Sequence, residues 1–445
     1  MNRYHMDPND FVNVSDSDSR MIQKAVDEAH RTGCNSVIIP SLNQRTGAYL
    51  WVIEESILLP SHMTVLIDNA HLVMADGVFC QMFRNANALE EIGRTADGLQ
   101  EDIVIQGVGR SVLDGGRHNG LREGNSLKDG MPSIFNNLTI YLHNVRNFKI
   151  DNLTIRDQRW WSMAFAFAWE GVVSNLRFEL TDKSVRGSVT HPWRNQDGVD
   201  LRVGCHDIQI MNLTGETGDD IVALTALAIR KPAFEVVWSC DHLTHDIYNV
   251  TIKNITGRCN HCALIRLLCH NGRRIYNVNI DGVTDTTPAD DDLIRTASCV
   301  KVGENNYCKD TSLLCKPGEM RDIFISNVHS SALAGVVFNC TAENVIVRNL
   351  NVTDHGTHAV SVSQIVAGRH MVKEEAETTD LRNVLVDGVV WNSARRGAAP
   401  FYFDALIAEN VRIRNVVWHG EGQLTEIRHP VETSGEVVFE NVIKR

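Results

Sequence analysis

Three carboxylates in two short clusters have the strongest claim to chemistry in this sequence. The first cluster reads Asn195-Gln196-Asp197-Gly198-Val199-Asp200-Leu201, and the second Gly218-Asp219-Asp220-Ile221-Val222-Ala223-Leu224. Each leads into an alternating apolar run, and alternation means strand, with successive side chains on opposite faces. Stacked as neighbouring parallel rungs, such strands would set Asp197 beside Asp219 and Asp220. Carboxylates crowded in this way repel one another, so one of them is expected to keep its proton. A protonated carboxyl that donates, next to ionised ones that activate water, is the acid/base division a glycosidase needs. A lone Asp at a strand end is ordinarily a solvated turn residue. Two clusters one rung apart are what lift these three above that reading.

The elements that must hold these acids recur along the chain. A short apolar alternation, usually next to an Asn, appears at Phe148–Ile155, Ile208–Leu213, Val250–Ile255 and Val278–Val283, then at Ile323–Val328, Val345–Leu350, Val411–Val416 and Val437–Val442. Little helical periodicity separates the copies. The pattern predicts a solenoid of parallel strands in which each coil buries a few apolar side chains against the next. Asn at such a turn tolerates left-handed backbone geometry and can ladder with the Asn of the next coil. A propeller or a β-sandwich is the rival, but both need Asn-Gly or Asp-Gly hairpin turns. Among the later copies those are sparse, with Asp281-Gly282 and Asp387-Gly388 as examples.

One helix is expected, over 17–31, with Ser17 or Asp18 as its cap, an apolar stripe of Ile22, Ala25, Val26 and Ala29, and Gly33 to end it. Its task would be to cover the open first coil. Short strands follow at Val37–Pro40, Gly47–Leu50, Thr64–Ile67, His71–Met74 and Ile103–Gly107. Thr286 to Asp292 and Asn305 to Gly318 read as insertions. No internal boundary stands out, so 1–445 is expected to be one domain.

The chain has 445 residues and a net charge of −12. An acidic chain is a poor nucleic-acid binder, and no apolar run approaches membrane-spanning length. Eleven Cys at irregular spacing suit buried free thiols in a reducing compartment, with no structural disulfide. Met1 to Asp18 carries neither a basic start nor an apolar stretch. A cytoplasmic, soluble protein is therefore the expectation.

With these residues in view, the chain resembles the polygalacturonase-like glycoside hydrolases of family 28, which fold as right-handed parallel β-helices. Asn195-Gln196-Asp197-Gly198 stands where the family has Asn-Thr-Asp-Gly, and Gly218-Asp219-Asp220 matches its second motif. Asn260-His261-Cys262 keeps only the His of Gly-His-Gly. Cys299-Val300-Lys301 keeps only the Lys of Arg-Ile-Lys. By resemblance, Asp219 is the general acid, Asp197 and Asp220 hold and activate water, and His261 orients or tunes the acid. The resemblance implies inversion of configuration, with carboxyls roughly 6.5–9.5 Å apart, and no cofactor or metal. It also implies that Lys301 contacts substrate.

Other residues near the motifs are weighed against plainer roles. Arg266 would follow His261 in a strand and could meet a substrate carboxylate in bidentate fashion, or serve as a ladder residue. Arg194 and Trp193 adjoin the first motif, as a further cation and a subsite wall. Trp160, Trp161 and Trp169 could stack on sugars, but core filling beside Phe165 and Phe167 is the reading preferred. Arg273-Arg274 reads as a solvated turn. Cys259, Cys262, Cys269 and His270 invite a zinc reading. Half a zinc module is missing, and alternate residues of a strand point apart, so no metal is expected.

Together these readings predict an exo-acting glycosidase for an oligosaccharide or polysaccharide. A polysaccharide lyase on the same fold would use a Lys, Arg or Tyr base, often with calcium. A carbohydrate-binding β-helix would need none of the acids.

Overall fold

The computed structural model describes residues 4–181, 195–227, 239–260, 262–288, 295–303, 311–354, 356–362, 379–394, 398–404, 406–427 and 436–445. These fall into two compact units. One lies within Met1–Lys183, Pro192–Thr214 and Ile229–Thr244, the other within Gly215–Ala228 and His245–Arg445. Within each, strands stack in parallel on the strands of the next coil, and the fold is a parallel β-helix.

In the first unit, the helix Asp18–Thr32 begins where Ser17 accepts a hydrogen bond from the Arg20 N–H and stops at left-handed Gly33. Met21, Ile22, Ala25, Val26 and Ala29 are buried along its inner stripe, as the periodicity predicts. Ser36–Pro40 pairs with Thr64–Asp68, which pairs with Gln100–Val108, then Ile140–Asp151, then Met163–Ser174. A separate stack of short strands runs from Ile57–Leu59 through Phe83–Asn85 and Ile140–Tyr141 to Met163–Phe165 and Val199–Leu201. The strand expected at 47–50 is displaced to Trp51–Ile53. Residues 43–48 instead close a tight loop in which the Asn43 N–H donates to the Ala48 carbonyl.

In the second unit, Val250, Val278, Ile323, Val345, Val384, Val411 and Val437 are successive partners in one column. Ile252, Ile280, Ile325, Val347, Val386, Ile413 and Phe439 form the next inward column two positions on. The recurring alternations are thus rungs in register. The copy at Val384–Val389 completes the series and carries Gly388, as the copy at Val278–Val283 carries Gly282, where the others have Asn.

Left-handed Asn residues bend the long strands, and their amides ladder from coil to coil. The Asn349 amide donates to the Asn327 side chain at 3.0 Å, and that of Asn441 to Asn415 at 2.7 Å. Asp281-Gly282 and Asp387-Gly388, which could be read as hairpin signals, are no hairpins. Each glycine takes the left-handed ladder position, with φ of 77° and 81°, and each Asp accepts the amide of the next rung, Asn327 or Asn415. A second ladder, not anticipated, runs through Asp322, Asn344, Asn383 and Asn410.

Candidate functional site

The short strands carry the candidate chemistry, because their residues alternate between the aliphatic core and the outer face. In the second unit, Val222, Ile265, Val300, Val336, Val360 and Phe401 stack inward. The positions one residue on form an outer column: Ala223, Arg266, Lys301, Val337, Ser361, Tyr402 and Glu426. Arg266 and Lys301 are therefore direct neighbours on successive rungs.

The turn before Val222–Ala226 presents Asp219 and Asp220. The Thr217 hydroxyl donates to the Asp219 carbonyl at 2.6 Å, and the Asp220 N–H donates to Asp219 Oδ1 at 3.0 Å. Asp220 is 1% exposed. Its Oδ1 accepts the Ala263 N–H at 2.9 Å, and its Oδ2 lies 2.7 Å from Arg266 Nε. A buried carboxylate needs such compensation, so Arg266 serves Asp220. That engages one nitrogen of the guanidinium that sequence reading assigned to a substrate carboxylate. Lys301, 8% exposed, lies beside Arg266 in the stack.

Continuing the Val222–Ile265 register backward sets Ala263 beside Asp220 and Cys262 beside Asp219. Donor atoms of Asp219, Asp220 and Cys262 all lie within 4.8 Å of one another. Burial first, and then these two carboxylates, push the Cys262 thiol well above its ordinary value. Cys259, fully buried, is pushed up by burial and by the same pair. From sequence, Cys262 stands at a lost Gly of the third motif and among zinc candidates for which no metal is expected. The signal for its role was the coil-to-coil register, which becomes readable once one pair of rungs is aligned.

In the first unit, Asp197 and Asp200 are both fully buried. The Asp197 and Gly198 carbonyls accept the Ser162 N–H and hydroxyl at 2.8 and 2.7 Å. Gln158 and Gln196 clasp each other through reciprocal side-chain to backbone bonds. Asn195 donates to Glu123 Oε1 at 3.2 Å, the same oxygen that accepts the Trp160 indole N–H. Trp160 and Trp161 stack on each other at 3.8 Å and meet Phe135 edge-on. They pack with Phe167, as the core-filling reading expects, whereas Phe165 stacks on Phe148. Trp169 is only half-buried and stacks on His206 instead.

Trp193, Arg194 and His261 lie outside the described residues, as do 289–292 and 305–310 of the two expected insertions. Of the zinc candidates, Cys262 is the one that joins a possible ligand group among the described residues, and its companions are Asp219 and Asp220. Among those residues no helix is long and apolar enough to cross a membrane.

Comparison with known proteins agrees with this architecture. No curated protein matches the chain. The pre-mature gene product 12 of bacteriophage phi29 is 14% identical, with a TM-score of 0.62, covering 98% of this chain and 52% of its own. The mannuronan C-5 epimerase AlgE6 A-module of Azotobacter vinelandii is 12% identical, with a TM-score of 0.53, covering 99% of both chains. An exopolygalacturonase of Thermotoga maritima is 12% identical, with a TM-score of 0.50, covering 89% of both. At such identities the likeness is one of fold. Sequence adds more: residues 57–231 match the family model for glycosyl hydrolases family 28. The stretch of this chain that carries both acidic motifs is thus similar to family 28 glycosyl hydrolases, and it is folded as a parallel β-helix.

Proposed function

We propose that the protein hydrolyses a glycosidic bond in a pectin-like or related oligosaccharide, with inversion of configuration. The observation that carries this reading is the pair Asp219 and Asp220, held side by side in one turn with different partners. Asp220 is ionised opposite Arg266 and suits the holding of water. Asp219, beside it in the same turn, is assigned on its motif to give a proton to the leaving oxygen. Asp197 is assigned to the water with Asp220, and His261 to tuning the acid, on their motifs alone. Lys301, beside Arg266, is assigned a substrate oxygen or carboxylate. Arg194 and Trp193 are assigned to subsites by their nearness to the first motif in sequence. Attack at chain ends and a cytoplasmic setting, where imported fragments are the substrate, belong to the same proposal.

The test is a panel of plant and bacterial oligosaccharides, with product anomers read by NMR as they form. Inverted anomers at early times, and a single monosaccharide as first product, are expected. Retained configuration, or no cleavage across the panel, would reject the reading. The adjacency of Lys301 and Arg266 favours one second reading, a lyase with Lys301 as base and Arg266 facing a uronate. Unsaturated products absorbing in the ultraviolet would select it.

A further inference from the structure

Cys262 has no part in the hydrolysis proposed above, yet it sits beside the acid assigned to it. Two strands that pair in register supply the group: Asp219 and Asp220 from the turn before Val222, and Cys262 from the turn before Ala263. The three donor atoms converge within 4.8 Å. Around a tetrahedral ion, bonds of about 2.0–2.3 Å set such donors roughly 3.5 Å apart, a small adjustment from the positions seen. These are not solvated surface acids: Asp220 is 1% exposed and Cys262 is half-buried. Arg266 pairs with Asp220. The donor set, two oxygens and one sulfur, selects by softness. Mg2+ and Ca2+ take oxygen ligands, whereas Zn2+ and Cd2+ accept thiolate.

We propose that Asp219, Asp220 and Cys262 form a binding site for a thiophilic divalent cation of the Zn2+ type, and that its occupancy switches off proton donation by Asp219. The first part stands on the donor geometry, and the second rests on the glycosidase reading. Binding exchanges the thiol proton for the metal. The S–H bond breaks, its proton and the one Asp219 carries as general acid go to solvent, and the sulfur and carboxylate lone pairs make the bonds to the metal with no change in oxidation state. With three protein donors, a fourth position stays open to water or a sugar oxygen.

Cd2+ titration of the whole, reduced, metal-free protein tests the site, read by the thiolate-to-cadmium charge-transfer band and by equilibrium dialysis. Wild type is expected to bind one equivalent more than Cys262→Ala, and Asp219→Asn to lose that equivalent or bind it at least tenfold more weakly. Cys262→Ser, closer in shape, serves if the alanine variant does not fold. Equal stoichiometry in wild type and both Cys262 variants would overturn the site. So would full retention of the equivalent in Asp219→Asn, which would mark a thiol acting alone. These readouts need no turnover, so they stand or fall apart from the glycosidase reading. Where hydrolysis is measurable, Cd2+ should inhibit wild type and be reversed by chelator. It should spare Cys262→Ser relative to that variant's own metal-free rate. Undiminished hydrolysis by the cadmium-loaded wild type would overturn the switch.

Discussion

The outer faces of the two short-strand stacks are built on the same plan and filled differently. Inward, both are aliphatic: Ile140, Met163 and Val199 in the first unit, Ile265, Val300 and Val336 in the second. Outward, the first unit carries Arg84, Tyr141, Ala164 and Asp200 on successive rungs, with Tyr141 and Ala164 set in a cluster of Trp160, Trp161, Phe135, Leu138 and Phe167. The second presents Arg266, Lys301, Ser361 and Tyr402. Burial pushes the Tyr141 phenol up, out of reach of ordinary pH. Alternation along a strand makes the inward half a requirement of the coil and leaves the outward half open to selection for chemistry. Aromatic side chains on such a face are therefore no guide to sugar binding until their partners are known. The Trp160–Trp161 pair spends its faces on itself and on Arg202, whose guanidinium lies 4.6 Å from the Trp161 ring centre.

The comparison is broken or sharpened most strongly in the aromatic cluster. Trp160→Ala should cost about 4 kcal/mol of stability, the usual range for an emptied aromatic site. Any protein that remains folded should keep its rate, as measured by denaturant unfolding alongside turnover. A rate that falls with stability unchanged would make the first face a substrate platform after all. On the second face, Arg266→Met strands the Asp220 carboxylate, and breaking such a buried pair should cost about 3 kcal/mol. Arg266→Met with Asp220→Asn should recover part of that loss, and strictly additive unfolding energies would show that the two groups do not compensate each other.

Asp219→Asn should leave stability nearly intact and lower the rate about 10²-fold or more, as for loss of a general acid. An activated leaving group needs little protonation, so it should rescue Asp219→Asn far more than Asp197→Asn. Similar rescue of both would move the acid to another residue.

The ladder offers smaller effects. Asn349→Ala loses the amide bond to Asn327 and forces a Cβ-bearing residue without polar compensation into left-handed geometry, for about 2 kcal/mol. Asn349→Gly, free of the second cost, should lose about 1 kcal/mol. Equal losses in thermal unfolding would mean that backbone geometry plays no part. The smallest effect concerns acid. The Ser326 hydroxyl and the Asn327 amide hold the Asp281 carboxyl below its ordinary range. A depressed folded pKa contributes stability that is present above the unfolded value, about 3.9, and lost as pH falls through the folded one. Asp281→Asn should flatten that part of the stability–pH curve, and an unchanged acid limb would assign the effect elsewhere.

Much of this was legible in the chain, for reasons that differ by residue. The alternations at Val250, Val278, Ile323 and Val345 could be read because a parallel coil repeats its inward positions at like places in each copy. Asn327, Asn349 and Asn415 could be read because few residues other than Gly take left-handed geometry cheaply. Asp281-Gly282 was harder, since the same dipeptide suits a hairpin and a ladder, and only the neighbouring rung distinguishes them. The partner of Asp220 was harder still. Arg266 lies far along the chain, and its neighbourhood does not say whether its guanidinium turns to a substrate or to a carboxylate one rung away.

By itself, then, the sequence determined the class of fold, the capping helix and the two acidic motifs. These depend on period, on local backbone preference and on residue type, all of which are properties of short stretches. Tertiary structure alone decided that Arg266 pairs with Asp220, that Cys262 stands beside Asp219, that Lys301 follows Arg266, and that Trp160 and Trp161 fill a core. Each of those depends on which rungs stack on which. In a solenoid with coils of unequal length, a single insertion shifts every outward neighbour while leaving the inward alternation unchanged.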